Sequence, residues 1–152
     1  MRALFSGDND EREELTHRCA LELGVCMLDQ NLVAEAWAHL TKSYHPAIGA
    51  LGIHAMVYEF IWRTAQAAHK LHFFGGDRYR GYLITSIEAH VKVLVWATDT
   101  LGIVHPMTLE MWDSLKLCFE EQLDWTLDDI PRKHIDALEE IPRLPGHKVF
   151  WK

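Results

Sequence analysis

The sequence predicts an all-α fold: a single-domain helical bundle of five or six mostly antiparallel helices, with an extended C-terminal tail. Three observations carry this reading. Apolar residues recur at helical spacing along most of the 152 residues. The breaks between periodic stretches are short, which sets neighbouring helices roughly antiparallel. The composition, 49% hydrophobic and 24% charged, is that of a globular chain long enough to bury a core without staples. The expected domain covers 1–152, with 143–152 as the tail.

The first helix is expected over about 9–28. Asp8 followed by Glu11 has capping-box spacing, and acids crowd the first turn, where the helix dipole favours them. Its apolar line reads Leu15, Cys19, Leu23, Cys26 and Met27, and Asp29-Gln30-Asn31 breaks or bends it. The second, about 31–44, carries Leu32, Val33, Ala36, Trp37 and Leu40. It is expected to stop before His45-Pro46, because a residue preceding proline avoids helical angles. The third, about 47–74, has the clearest stripe: Ile53, Met56, Val57, Phe60, Ile61, Ala67, Ala68 and Leu71. Opposite runs a polar line of Glu59, Arg63, Gln66 and Lys70, with Glu59 and Arg63 at a favourable ion-pair spacing.

A fourth helix, about 78–101, is apolar nearly all round, which suits a central position. Its stretch HVKVLVWAT is β-branched, but its length and the lack of nearby strands favour helix. Gly102 ends it and HPMT starts the fifth, about 108–127, with Met111, Trp112, Leu115, Cys118, Phe119 and Trp125 facing inward. DDIPRKHIDALEEI reads as a short sixth helix with Pro131 in its first turn. The tail after Pro142 ends in Val149, Phe150 and Trp151, apolar enough to lie on the body or on a neighbouring chain.

The formal net charge of −7 argues against non-specific nucleic-acid binding, which rests on neutralising phosphates. The charge is segregated: residues 63–80 carry +3, whereas 110–129 hold seven acids and one lysine. Cys19, Cys26 and Cys118 include no CxxC pair. Cys19 and Cys26, seven apart on one helix, have backbones roughly 10 Å apart; that is too far for a disulfide. Reduced, buried thiols in a cytoplasmic protein are expected. Met1-Arg2-Ala3-Leu4-Phe5 runs directly into Ser6-Gly7-Asp8-Asn9-Asp10, unlike a signal peptide, and no apolar run reaches membrane-spanning length.

Ten histidines invite a metal hypothesis. A di-iron bundle needs two copies of Glu-x-x-His, and only Glu14 to His17 occurs; His-Glu-x-x-His is absent. His69 and His72 have ligand-pair spacing, but they equally suit a helix C-terminus, where the dipole favours their charge. No metal and no cofactor is therefore expected. Glu11 to Glu14 and Glu121 to Asp124 match the acidic pairs with which helical nucleotide pyrophosphatases hold magnesium, and they read more simply as solvated faces.

Arginine followed a few residues later by histidine occurs at Arg12 to His17 and at Arg63 to His69. This resembles the catalytic motif of the HEPN ribonuclease superfamily, whose members are small all-α bundles. The polar residue usual after the family's arginine is Glu13 in one copy and Thr64 in the other. The resemblance implies that Arg63 stabilises phosphate charge and that His69 acts as acid or base.

The function expected from these features is binding, as a homodimer or as an accessory or regulatory partner of another protein. The apolar fourth helix, the hydrophobic tail and the segregated charge suggest more apolar surface than one small bundle hides. Interface candidates are Trp62, Tyr79, Phe150 and Trp151, which fall off the main stripes or lie in the tail. Arg78 and Arg80 put positive charge in a helix's first turn, a placement that suits a small anion or an acidic partner. The alternative is an enzyme or small-ligand protein with a pocket between the third and fourth helices, built from His54, Tyr58, His69, His72, Glu88 and His90.

Overall fold

The computed structural model describes residues 2–52, 54–75, 80–120 and 132–140. Among them are six helices and no strand: α1 (Arg2–Asp29), α2 (Val33–Leu51), α3 (Ala55–Gly75), α4 (Arg80–Thr100), α5 (Pro106–Glu120) and α6 (Arg132–Glu140). The chain is an all-α helical bundle. It divides into two compact units, Met1–Ala67 and Ala68–Lys152, with the division inside α3. The expected extension of the fifth helix through Trp125, Pro131 and the tail with Phe150 and Trp151 lie outside the described residues.

In the first unit α1 and α2 form a hairpin. Asn31 turns the chain with a left-handed φ of 60°, a conformation asparagine tolerates. Leu32 N–H bonds Met27 C=O and Asn31 N–H bonds Leu28 C=O, the Schellman arrangement that satisfies the last carbonyls of α1. The two helices touch at Gly24, where a Cβ would collide with the Leu40 side chain. The core is Leu21, Leu28, Ala36, Leu40, Ala47, Met56, Phe60 and Ala67.

Several boundaries differ from expectation. α1 begins at Arg2, so position 8 lies inside the helix and not at its start. A helix nucleated upstream gains a hydrogen bond per added residue and runs through a capping signal. α2 does not stop at His45; it continues through Pro46 to Leu51. Proline there forfeits a ladder hydrogen bond. Continuing the helix keeps Ala47, fully buried, on the face shared with Val33, Ala36 and Leu40. The break comes instead at Gly52, whose φ of 61° and ψ of −130° suit only glycine. α3 consequently starts at Ala55 rather than at 47.

The inward face of α1 also differs. Leu15, Cys19, Leu23 and Cys26 are exposed, and Leu21, Gly24 and Leu28 are buried, with Ala20 and Met27 partly so. Small residues at 20 and 24 let α2 come close, and that approach selects the face. Cys19 and Cys26 are thus not the buried thiols expected; only Cys118 is.

In the second unit α4 packs against α5 and α6. Leu83, Ile87, Val91, Val93, Leu94 and Ala97 of α4 are buried, as are Met111, Trp112, Leu115 and Cys118 of α5. No helix among the described residues is long and apolar enough to cross a membrane.

Candidate functional site

Histidines tie the described helices together. His54 precedes α3, and its Nδ1 accepts the Met56 N–H at 3.0 Å; His105 precedes α5, and its Nδ1 accepts the Met107 N–H at 3.1 Å. Both imidazoles do the work of the usual N-cap oxygen, satisfying a first-turn donor. His54 also presents Nε2 to the Glu14 carboxylate at 3.5 Å. It therefore lies ahead of α3, not inside it as the expected span of 47–74 had set it. His39 of α2 donates from Nε2 to the Ala20 carbonyl of α1 at 2.7 Å. Arg18 of α1 reaches Glu59 of α3 at 3.1 Å. Glu59 accordingly pairs between helices, not along α3 with Arg63 as its spacing suggested.

The most organised polar group is a closed ring of hydrogen bonds between α4 and α5. Each helix supplies two residues four apart, so both project on one face: Ser86 and His90 from α4, Ser114 and Cys118 from α5. His90 Nδ1 lies 2.8 Å from the Ser86 carbonyl, which can only accept. Nδ1 is therefore the protonated nitrogen, and Nε2 accepts from the Ser114 hydroxyl at 2.7 Å. The Cys118 thiol donates to the Ser114 carbonyl at 3.5 Å, and the Ser86 hydroxyl, 3.8 Å from Cys118 Sγ, closes the ring. Burial pushes the His90 pKa from 6.5 down to about 4; the bond to Ser86 raises it and His69 lowers it further.

The order serine, imidazole, orienting acceptor is that of an activated nucleophile. Here, however, His90 is 0% and Ser114 only 9% exposed. The ring is placed to hold two helices in register, since every member finds a partner in a low-dielectric setting. Of the four, His90 alone was a site candidate from sequence, and Cys118 was expected only as an inward-facing residue of the fifth helix. A detectable signal existed: Ser-x-x-x-His and Ser-x-x-x-Cys, each on the inward stripe of an otherwise apolar face.

The remaining candidates are placed as follows. His69 and His72 are buried in the second unit, and Glu88 is exposed on α4. Tyr58 is half-buried in the first unit. Trp62, which spacing set off the core stripe, is 3% exposed, with the Arg63 guanidinium 4.2 Å above its ring. Arg63 also donates to Gln66 at 2.9 Å, so this cation is held over an aromatic face. Arg78 and Tyr79, and the side chain of Arg80, lie outside the described residues, as do Phe150 and Trp151. Among the described residues no group of three His, Cys, Asp or Glu side chains could hold a metal ion.

The second candidate is a surface, the outer side of α1. Leu15 is 63% and Leu23 49% exposed, and Cys19 and Cys26 stand exposed on the same side of the helix. This is the apolar line that periodicity picked out, directed away from α2 except at Met27, which packs against the core. No protein-family model, curated protein or solved structure matches the chain.

Proposed function

We propose that this protein is a cytoplasmic helical bundle that acts by binding another protein helix through the outer side of α1. One observation carries the reading: the most periodic apolar line of α1 is the one α2 leaves uncovered. A helix presenting Leu15 and Leu23 to water at such exposure has an apolar stripe available to a partner. Free cysteines at 19, 26 and 118 agree with a reducing compartment.

Association is tested by sedimentation velocity of the purified chain, and by capture on the immobilised chain. The double variant Leu15→Glu/Leu23→Glu is expected to lose association while keeping its helical circular dichroism and melting temperature. Equal association by variant and wild type refutes the use of this surface. A wild-type chain that neither self-associates nor captures a partner refutes the binding role.

A further inference from the structure

Resting on that reading, we infer that the occupant of the α1 surface is a second copy of this chain, docked antiparallel. Among the exposed residues of α1 are Arg12, Leu15, Cys19, Glu22, Cys26 and Asp29, on the side away from the buried Leu21, Gly24 and Leu28. Their intervals alternate three and four, the seam that two helices form when they wind about each other. At about 100° per residue, the six stay within one stripe about 100° wide over about five turns.

The charges on this seam select the occupant and its direction. In a parallel pair Arg12 meets Arg12, Glu22 meets Glu22 and Asp29 meets Asp29, placing like charges at three of six levels. In an antiparallel pair with Leu15 against the second copy's Cys26, the same geometry sets Cys19 against Glu22 and Arg12 against Asp29. Each end of the seam then closes with an ion pair, Leu15 meets Cys26 just inside each pair, and Cys19 meets Glu22 at the two central levels. All six levels fall into register with a single choice of offset, which is what a two-fold, self-complementary interface requires.

Neither Arg12 nor Asp29 makes an ion pair with a described residue, so both are available. Glu22 and Cys19 stand equally near the two-fold centre, and Arg18 Nη1, which bonds Glu59 at 3.1 Å, also lies 3.8 Å from the Glu22 carboxylate. Leu23, beside the seam, adds apolar cover.

Cross-linking tests the register. In the variant Leu15→Cys/Cys19→Ala, the remaining seam thiols are at 15 and 26. They stand eleven residues apart on one helix, about 16 Å, and cannot join within a chain. Oxidised glutathione is then added, and tryptic peptides are mapped by mass; cleavage at Arg18 separates the two positions. A disulfide from 15 of one chain to 26 of the other is the expected product. Links from 15 to 15 and from 26 to 26 indicate a parallel pair and overturn the inference, leaving binding through α1 intact. Absence of any interchain link, with a monomer in sedimentation, overturns self-docking; capture of another protein that is lost in Leu15→Glu/Leu23→Glu then shows that the surface serves a different partner. Loss of both removes the wider reading as well.

A charge exchange gives a second readout. Arg12→Glu is expected to weaken the dimer by about tenfold or more, since it opposes like charges at both ends of the seam. Adding Asp29→Arg to it restores wild-type association. Failure of the second substitution to rescue the first counts against the antiparallel pairing.

Discussion

Acid should loosen the second unit through one residue. The His90 pKa is held at about 4 in the folded chain, against 6.5 for a solvated imidazole. On acidification the unfolded chain therefore takes up the proton first. The stabilising contribution of neutral His90 is complete above about pH 6.5 and is lost as the pH falls toward 4. Linkage with these two values puts the loss at about 2 kcal/mol at pH 5 and about 3 kcal/mol at pH 4. The chain has ten histidines, so the measurement is a difference between two proteins that differ only at position 90. Urea unfolding followed by circular dichroism at pH 7.5 and pH 5 compares wild type with His90→Gln, which keeps a donor and an acceptor but carries no titrating proton. The variant is expected to be less stable at pH 7.5 and to lose about 2 kcal/mol less than wild type between the two pH values. Parallel stability curves for the two proteins refute the assignment of the acid sensitivity to this ring.

Three further outcomes follow from particular contacts. Ser114→Ala removes the donor to His90 Nε2 and strands a buried acceptor, so urea unfolding at pH 7.5 should show a loss of about 1–3 kcal/mol. Gly24→Ala places a methyl group against Leu40, where α1 and α2 touch, and should cost about 1–3 kcal/mol in the same assay. A neutral Gly24→Ala shows that the hairpin has room to separate. Finally, a thiol reagent applied to the folded chain, diluted until it is monomeric, should modify Cys19 and Cys26 rapidly and Cys118 only upon unfolding, read by intact mass.

Much of the helical content was legible in the sequence, because periodicity depends only on local spacing. The stripes Met56, Val57, Phe60, Ala67 and Ala68 of α3, and Met111, Trp112, Leu115 and Cys118 of α5, are buried where spacing set them. The break at Asp29-Gln30-Asn31 was equally local, since asparagine takes the left-handed turn at little cost. Pro46 was misleading for the opposite reason. Its local preference against helix is outweighed by a non-local term, the burial of Ala47 on the core-facing side of α2.

The candidate sites divide in the same way. The apolar line of α1 could be read from its spacing, but its direction could not. Leu15, Cys19, Leu23 and Cys26 form one helical face, and Ala20, Gly24 and Met27 belong to another. The chain by itself makes both faces possible. Closest approach to Leu40 requires the side without bulk at 24, and that requirement turns the larger apolar residues outward. His90 was visible as a histidine on an apolar helix. Its ring of partners was not, because Ser114 and Cys118 lie 24 or more residues away and meet it only when α5 packs on α4. The sequence by itself determined which segments are helical and which residues could share a face, since both follow from bonds and angles within a turn. Tertiary structure decided which face is covered, which polar residues find one another and where a proline is overruled, since those outcomes depend on surfaces brought together across long stretches of chain.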